Sequence, residues 1–276
     1  MIIQYASDLH LEFELNRDFI LAGGMAVSGD VLLLAGDIGY LKDPSEFDPF
    51  WDWCEKNYRE TIVVPGNHEF YEKCDANALR SFKMMLRPHV SYYHNQIVHL
   101  DDADIICSTL WSHITPKAEA ALTQVMPDFR QIRFGYRRLR CSDVNKLHDE
   151  CVKFIFDAIR QSQAKTTIIA THHLPSWAVV VDCYKESPLT EGFATELKAL
   201  IEENGPDYWV FGHSHANIET MIGKTKLLSN QLGYLKFDEH LDFDDTRTIE
   251  IGSSCISMGK SLGSSEPNAL SLNRLD

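Results

Sequence analysis

Short apolar runs recur along the chain, and polar residues follow each run directly. The runs extend from Ile2 to Ala6, Val31 to Leu34, Thr61 to Val64, Thr167 to Thr171 and Tyr208 to Phe211. Their length and their content of β-branched and aromatic residues predict buried β-strands. Longer segments with helical patterns separate them, which favours an α/β layered architecture.

Segments between these runs predict helices that cover the sheets. Helical patterns extend over Phe47 to Tyr58, Ala76 to Leu86 and Gly192 to Glu203, and Ser142 can cap a further helix. That last helix has a 3.6-residue apolar period, with one face formed by Val144, Leu147, Cys151, Phe154, Ile155, Ala158 and Ile159. Two apolar runs between Gln96 and Trp111 flank an acidic turn, which predicts a hairpin that extends the sheet.

The polar residues at the ends of the five predicted strands are types that bind metals. They are Asp8 and His10, Asp37, Asn67 and His68, His172 and His173, and His213 and His215. Taken singly, each has an ordinary interpretation, since Gly-Asp and Gly-Asn pairs are common in turns and a lone histidine is often structural. Ligand sites in open α/β sheets collect at the carboxyl ends of strands, so five such ends can meet. Their joint occurrence predicts a metal centre.

The spacing and number of these residues favour two ions. Asp8 and His10 project from the same side of an extended segment and can chelate one ion. Asp37 follows the flexible Gly36, which suits a carboxylate oxygen that bridges two cations. Asn67 adds an oxygen and three histidines add nitrogens, which gives about seven candidate ligands. That is too many for one tetrahedral zinc but suits two ions roughly 3.5–4 Å apart.

The bulk composition limits the classes of function. With 276 residues the chain can bury a substantial core, and we assign 1–250 to a single domain and the Ser- and Gly-rich 251–276 to a loosely held tail. The net charge of −14 disfavours a nucleic acid polymer as partner, and no apolar run approaches membrane-spanning length. Seven cysteines without CxxC spacing argue against disulfides and thiolate zinc sites. Because the candidate ligands begin at Asp8, no room remains for a signal peptide, and we expect a cytoplasmic protein.

Five blocks of these residues resemble the signature of the calcineurin-like metallophosphoesterases. The blocks are Asp8-Leu9-His10, Gly36-Asp37, Gly66-Asn67-His68-Glu69, His172 in Thr-His-His, and Gly212-His213-Ser214-His215. They occur in the family's order and span most of the chain, so the resemblance is specific. It implies a four-layer α/β/β/α sandwich with two mixed β-sheets.

The resemblance also implies a role for each residue. One metal would be held by Asp8, His10, Asp37 and His215, and the other by Asp37, Asn67, His172 and His213. The two ions would lower the pKa of a shared water and neutralise the phosphoryl oxygens during in-line attack by metal-bound hydroxide. His68 would be catalytic by donating a proton to the leaving oxygen, an effect of roughly 10²–10⁴-fold. These ligands admit divalent or mixed-valence Mn, Fe, Zn or Co.

Tyr40 lies three residues after Asp37, a position that differs among related enzymes. Purple acid phosphatases have a metal-bound tyrosine there but a glycine in place of His10, so the presence of His10 argues against that role. Protein phosphatases have an aspartate there that orients the catalytic histidine, and its absence weakens a protein-phosphatase assignment. Two roles then remain for Tyr40: it shapes the substrate pocket, or it has only a structural role in packing.

Other candidate substrate contacts lie outside the five blocks. Arg130 and Arg133 belong to an arginine-rich segment at 130–140, which either binds a substrate phosphate or forms a solvated charged loop. His113 follows the predicted hairpin and either faces the pocket or is structural. Of the adjacent pair, His172 directly follows the strand and is preferred as the metal ligand, which leaves His173 to face the substrate or support the site.

Together these features predict a dinuclear metal-dependent phosphohydrolase. The expected substrate is a small phosphomonoester or phosphodiester, such as a nucleotide. A nuclease is the alternative enzyme, although neither an extended basic groove nor an added DNA-binding domain is evident. A non-catalytic scaffold that binds proteins is the alternative outside enzymes, and the complete ligand set with His68 argues against it.

Overall fold

The computed structural model describes residues 1–252 and consists mainly of two six-stranded sheets. The strands are β1 Ile2–Ala6, β2 Val31–Leu34, β3 Glu60–Val63, β4 Phe82–Arg87, β5 Val90–His94, β6 Gln96–Leu100, β7 Ala103–Ser108, β8 Arg133–Phe134, β9 Arg137–Arg138, β10 Thr166–Thr171, β11 Tyr208–Phe211, β12 Glu219–Ile222, β13 Thr225–Ser229 and β14 Thr248–Glu250. The helices are α1 Glu14–Phe19, α2 Asp48–Asn57, α3 Pro116–Val125, α4 Asp128–Gln131, α5 Cys141–Gln161 and α6 Lys198–Asn204. All five predicted strands are therefore present; β3 is displaced by one residue, and β10 begins one residue earlier than predicted.

Both large sheets mix parallel and antiparallel pairs. The first has the order β14-β1-β2-β3-β5-β4, in which β1, β2, β3 and β5 run parallel. The second has the order β12-β13-β11-β10-β7-β6, in which β13, β11, β10 and β7 run parallel. The predicted hairpin is the antiparallel pair β6–β7 at one edge. Strands β8 and β9 form a separate two-stranded ribbon.

Three apolar clusters hold the layers together. Between the sheets, side chains such as Ile3, Leu33, Ile105 and Ile168 pack in one buried cluster. Residues on the opposite faces of the same strands point outward because side chains alternate along a strand. On the first sheet these residues meet α2 through Phe50, Trp51 and Cys54, and on the second they meet α5 and α6 through Ile155, Phe156 and Ile201. The predicted four-layer α/β/β/α class with two mixed sheets is confirmed.

The helix predicted over Ala76 to Leu86 is wrong. Residues Phe82–Arg87 form β4, which pairs antiparallel with β5. Phe82, Met84 and Leu86 pack against the core while Met85 between them is exposed, so the true apolar period is two. A run of six residues is too short to distinguish the two periods when Met and Leu also favour helices.

The boundaries of the other predicted helices also differ, by one residue at each end for α2 at Asp48–Asn57 and by more for α6. The segment from Gly192 to Glu203 forms a helix only from Lys198, after an irregular stretch that includes Phe193 and Ala194. The long helix begins at Cys141, one residue before the predicted cap, and Asp143 accepts a hydrogen bond from the backbone N–H of Arg140 at 3.0 Å. Carboxylates in the first turn satisfy free N–H groups in this way.

The carboxyl-terminal strand returns to the first sheet. Strand β14 pairs with β1, and the N–H of Ile251 donates to the carbonyl of Met1 at 2.9 Å. Ile251 itself is buried, although the sequence assigned it to the tail. The rest of the predicted tail, 253–276, lies outside the described residues.

Candidate metal centre and catalytic site

The five strand ends meet on one side of the molecule, where the two sheets approach each other. Backbone hydrogen bonds join the loops, since Asp8 N–H donates to Gly36 and His10 N–H donates to Asp37, each at 2.9 Å. Several of the candidate ligands have a left-handed backbone conformation, which is uncommon for non-glycine residues and clusters at functional sites. They are Asp8 (φ 55°), His10 (49°), Asp37 (55°), His213 (76°) and His215 (52°).

Asp8, His10 and His215 form the first group of potential ligands. The Nε2 atoms of the two histidines lie 3.1 Å apart, and Asp8 Oδ1 lies 3.4 Å from Nε2 of His215. The Nδ1 atoms on the far sides of the rings meet carboxylates, with His10 3.0 Å from Glu12 and His215 2.6 Å from Glu239. If each Nδ1–H donates to its carboxylate, both Nε2 lone pairs point into the same space.

Asp37, His172 and His213 form the second group, and Asn67 joins it. Nε2 of His172 lies 3.0 Å from Oδ1 of Asn67 and 3.1 Å from Nδ1 of His213. The far nitrogens again meet acceptors, because His172 Nδ1 lies 2.9 Å from the Ala35 carbonyl and His213 Nε2 lies 3.4 Å from the Gly192 carbonyl. A carbonyl only accepts, so the inward nitrogens carry the lone pairs.

One oxygen of Asp37 faces both groups. Its Oδ2 lies 3.3 Å from Nε2 of His172 and 3.9 Å from Nε2 of His10. Its other oxygen accepts a hydrogen bond from the backbone N–H of His68 at 2.9 Å, which fixes the orientation of the carboxylate. The position suits a carboxylate shared by two cations.

This set of side chains fits metal ions because lone pairs without protons converge in two adjacent places. Such lone pairs repel each other unless positive charge lies between them. The site also favours positive charge: burial opposes the charged form of His215, yet Asp8 and Glu239 outweigh this effect and raise its pKa to about 10. Acceptors on the far nitrogens are the usual support of metal-binding histidines, since they set the tautomer and the ring orientation.

Two glycines leave room for the side chains of the second ligand group to approach each other. Gly36 has φ 94°, and a Cβ there would collide with Nδ1 of His172. A Cβ on Gly66 would collide with Oδ1 of Asp37. The Gly-Asp and Gly-Asn pairs are therefore required here by close approach of side chains and not only by turn formation.

Glu69 ties these two glycine-containing loops together, a role that the sequence analysis missed. Its buried carboxylate accepts hydrogen bonds from the backbone N–H groups of Asp37 at 2.9 Å, Ile38 at 2.8 Å and Gly66 at 2.6 Å. Burial, followed by the nearby charge of Asp37, raises its pKa to about 7. Its place beside His68 in the third motif block was the available signal.

His68 lies at the edge of the metal groups and is oriented by Glu12. Nδ1 of His68 lies 2.7 Å from Oε1 of Glu12, the same oxygen that contacts His10, and its Nε2 lies 3.9 Å from Oδ2 of Asp37. Burial alone would lower the pKa of His68, but Asp37 and Glu12 together raise it to about 9. Glu12 was not predicted, although it continues the two-residue alternation of Asp8 and His10.

Of the predicted substrate contacts, His173 packs against a metal group, with its ring 4.4 Å from that of His213, and the others find their partners elsewhere. Tyr40 is half-buried against the apolar core, and His113 is exposed near His148. Arg130 donates to the carbonyls of Gln124 and Val125, and the exposed Arg133 pairs in the β8–β9 ribbon. His173 is buried with Nδ1 3.2 Å from the Thr109 carbonyl, and burial lowers its pKa to about 3. Its neighbour His172 is the one that faces Asp37.

Comparison with known proteins places the chain in a family. The family model for calcineurin-like phosphoesterases matches residues 3–217, and the chain belongs to this family. It is 29% identical over 263 residues to protein L509 of Acanthamoeba polyphaga mimivirus, a match that covers 84% of this chain and 91% of the viral protein. The resemblance stated from the motif blocks is thereby confirmed.

Solved structures are similar to this chain at low sequence identity. A phosphopantetheinyl hydrolase from Mycobacterium tuberculosis aligns with a TM-score of 0.64 and 15% identity, covering 90% of this chain and 95% of the hydrolase. A dimetal phosphatase from Danio rerio aligns with a TM-score of 0.46 and 11% identity, covering 84% and 87%. The chain is a metallophosphoesterase, an enzyme that hydrolyses phosphoric ester bonds. Within residues 1–252, no helix is both long enough and apolar enough to cross a bilayer.

Proposed function

We propose that this metallophosphoesterase uses two metal ions to hydrolyse a small phosphomonoester or phosphodiester. The observation that carries the proposal is the pair of ligand groups that share one oxygen of Asp37. Asp8, His10, Asp37 and His215 would hold one ion. Asp37, Asn67, His172 and His213 would hold the other. When bound, the two ions would supply an activated water and neutralise charge on the phosphoryl oxygens.

His68 is the proton donor in this proposal. Its Nδ1 is engaged by Glu12, so the ring presents Nε2 toward the side of the centre where Asp37 lies. A proton held on Nε2 can pass to the ester oxygen as the bond to phosphorus breaks, which avoids release of an alkoxide. The side chain is 12% exposed, enough to meet a substrate while remaining largely shielded from water.

Glu12 is the positioning residue for this step. Its side chain is 3% exposed and contacts both His10 and His68 through Oε1. The carboxylate keeps the proton of His68 Nδ1 in place and orients the ring without touching the ester itself. The arrangement supplies what an aspartate at position 40 would supply in protein phosphatases, from a different part of the chain.

The identity of the ions follows from reconstitution of the purified protein. Chelation should abolish hydrolysis of bis(4-nitrophenyl) phosphate and 4-nitrophenyl phosphate, and Mn, Fe, Zn or Co should restore one or both activities. We expect about two ions per chain in the active protein. Hydrolysis that persists after complete metal removal contradicts the proposal, as does a fully loaded protein that hydrolyses neither ester.

A further inference from the structure

A cavity of about 420 Å³ opens beside His68 and continues away from the candidate metal centre. Its walls also include the metal-facing residues Asp37, Asn67 and His213. Aromatic contacts make the two regions continuous, because the ring of Phe193 lies 4.6 Å from that of His213 and the ring of Tyr71 lies 4.3 Å from that of His68. A phosphate at the centre would therefore direct one of its ester groups into this space. We call the space the side pocket.

Apolar side chains form most of the side pocket. The main ones are Met126, Leu174, Val180, Val181, Leu189 and Phe193. They come from the loop after α3, the loop after β10 and the irregular segment before α6. Pockets that bind organic groups are generally apolar with a few placed polar atoms, and this one has that composition.

Away from His68 and His215 at the metal centre, the charged side chains that line the side pocket are all negative. Within the described part of the chain, its walls contain the carboxylates of Asp37, Asp128 and Glu239 but no lysine or arginine. None of the arginines at 130–140 lines it, and two of them bond elsewhere, Arg130 to the carbonyl of Gln124 at 2.9 Å and Arg137 to Asp143 at 2.8 Å. A second phosphate or a carboxylate on the substrate, held away from these two histidines, would lose its hydration without gaining a cationic partner.

Asp128 is a buried polar residue in this mainly apolar wall, and its carboxylate lacks a hydrogen-bond partner among the described residues. It is 4% exposed, and no donor of residues 1–252 lies within hydrogen-bond distance of either carboxylate oxygen, although the side-chain amide of Asn67 is nearby. Buried carboxylates are normally paired, so an unpaired one in a ligand cavity indicates that the ligand brings a donor. A hydroxyl or amide N–H on an otherwise apolar group would meet this need.

We infer that the side pocket binds the organic group of the substrate, and that this group is largely apolar, has no second anionic group, and donates a hydrogen bond to Asp128. The inference rests on the proposed function, because it assumes that a phosphoryl group occupies the metal centre. It narrows the substrate class to monophosphate esters of neutral apolar alcohols. Nucleoside polyphosphates and esters with acidic tails fall outside that class.

Calorimetric titration of metal-loaded protein with phosphonates tests the inference without relying on turnover. The probes are methylphosphonate, hexylphosphonate, 6-hydroxyhexylphosphonate and hexane-1,6-diphosphonate. Each buried methylene strengthens binding by about fourfold, so hexylphosphonate should bind at least about tenfold more tightly than methylphosphonate. We expect 6-hydroxyhexylphosphonate to bind more tightly still. Hexane-1,6-diphosphonate should lose the gain in affinity that the hexyl chain gives over methylphosphonate.

The pattern of binding separates this inference from the proposed function. If methyl- and hexylphosphonate bind equally, or the diphosphonate binds best, the inferred substrate class is wrong while the metal centre stands. If none of the four phosphonates binds to the loaded protein, both the inference and the proposed function are contradicted.

Two substitutions locate the effect in the side pocket. Val181→Lys should remove the gain in affinity of hexylphosphonate over methylphosphonate and should favour the diphosphonate. The control is Val27→Lys, at a valine that is 47% exposed and does not line the pocket. It should change neither of these affinity ratios. Asp128→Leu should abolish the preference for the hydroxyl over the plain hexyl chain. The affinities of two phosphonates are compared within one variant. An effect of the substitution on the metal centre is common to both phosphonates and cancels in their ratio. Unchanged ratios in both variants overturn the inference.

Discussion

The two sides of the catalytic cleft differ in how they are built. On the metal side, polar side chains stand at the ends of central strands, and backbone hydrogen bonds and Glu69 hold their loops together. On the side-pocket side, apolar side chains come from helix ends and irregular segments, and Asp128 has no partner among the described residues. Rigid elements suit the geometry that chemistry needs, while loops can vary to select the substrate. Substitutions on the two sides should therefore alter different quantities.

The largest effect is expected at the carboxylate shared by the two ligand groups. Asp37→Asn removes the charge that faces both groups and should lower kcat/KM by on the order of 10⁴-fold, since each metal contributes several kcal/mol. Metal content should fall by about one ion per chain. Elemental analysis together with initial rates checks both quantities, and a variant that keeps two ions and normal activity contradicts the shared-ligand assignment.

His68→Gln should lower kcat by roughly 10³-fold, because the proton for the leaving oxygen is lost while the metal ligands remain. The loss should be greatest for alkyl esters and smallest for 4-nitrophenyl esters, whose leaving groups need little protonation. His99→Gln is the matched control, since that side chain is 75% exposed on β6. Full activity of the His68 variant on alkyl esters would remove it from the mechanism.

Glu12→Gln should reduce kcat by roughly 10–100-fold at saturating metal, as is typical when the support of a catalytic or ligating histidine is lost. The substitution keeps the size of the side chain but removes its charge. If Glu12 acts through His68, then adding Glu12→Gln to the His68→Gln variant should lower kcat little further. Fully additive losses in the double variant would show that Glu12 acts by another route, such as His10.

Glu69→Gln should affect stability more than the individual chemical step. An amide nitrogen would replace one of the oxygens that accept backbone N–H groups, leaving buried donors without partners. The free energy of unfolding of the metal-free protein should fall by about 1–3 kcal/mol in denaturant titrations. Glu72→Gln, at a side chain that is 51% exposed, should change it by less than about 0.5 kcal/mol. Equal effects of the two substitutions would contradict the role of Glu69.

The smallest effect is expected at Arg133, which the sequence suggested as a substrate contact. Arg133 is exposed in the β8–β9 ribbon and does not line the side pocket. Arg133→Ala should change kcat/KM by less than about twofold, within the range of ordinary surface substitutions. A loss above tenfold on any phosphate ester would show that the ribbon reaches the substrate.

Sequence pattern was sufficient for the metal side because its residues lie at fixed places relative to strands. A short apolar run predicts a strand, and the carboxyl ends of parallel strands meet at one edge of a sheet. Asp8, Asp37 and His213 could therefore be placed together from the sequence alone. The role of Glu69 could not be predicted, since it depends on how two loops distant in sequence present their N–H groups. The role of Glu12 could have been predicted, since Glu12 lies two residues after His10, as His10 lies two residues after Asp8.

The side pocket could not be predicted because its walls have no periodic pattern. Residues such as Met126, Leu174 and Leu189 lie in segments that connect elements, and their convergence is a property of the tertiary fold. The density of arginine at 130–140 left two alternatives open, a phosphate-binding rim and a solvated charged loop. In the structure Arg130 bonds to nearby carbonyls and Arg137 to the carboxylate of Asp143, which agrees with the alternative of a solvated charged loop.

The central claim is that Asp37 joins two ions in one centre. Electron paramagnetic resonance of the Mn-loaded protein tests this directly, because two Mn(II) ions that share a carboxylate are exchange-coupled. We predict about two Mn per chain with a coupled spectrum, and loss of the coupling in Asp37→Asn. One Mn per chain, or two Mn with only the signals of isolated ions, would contradict the claim.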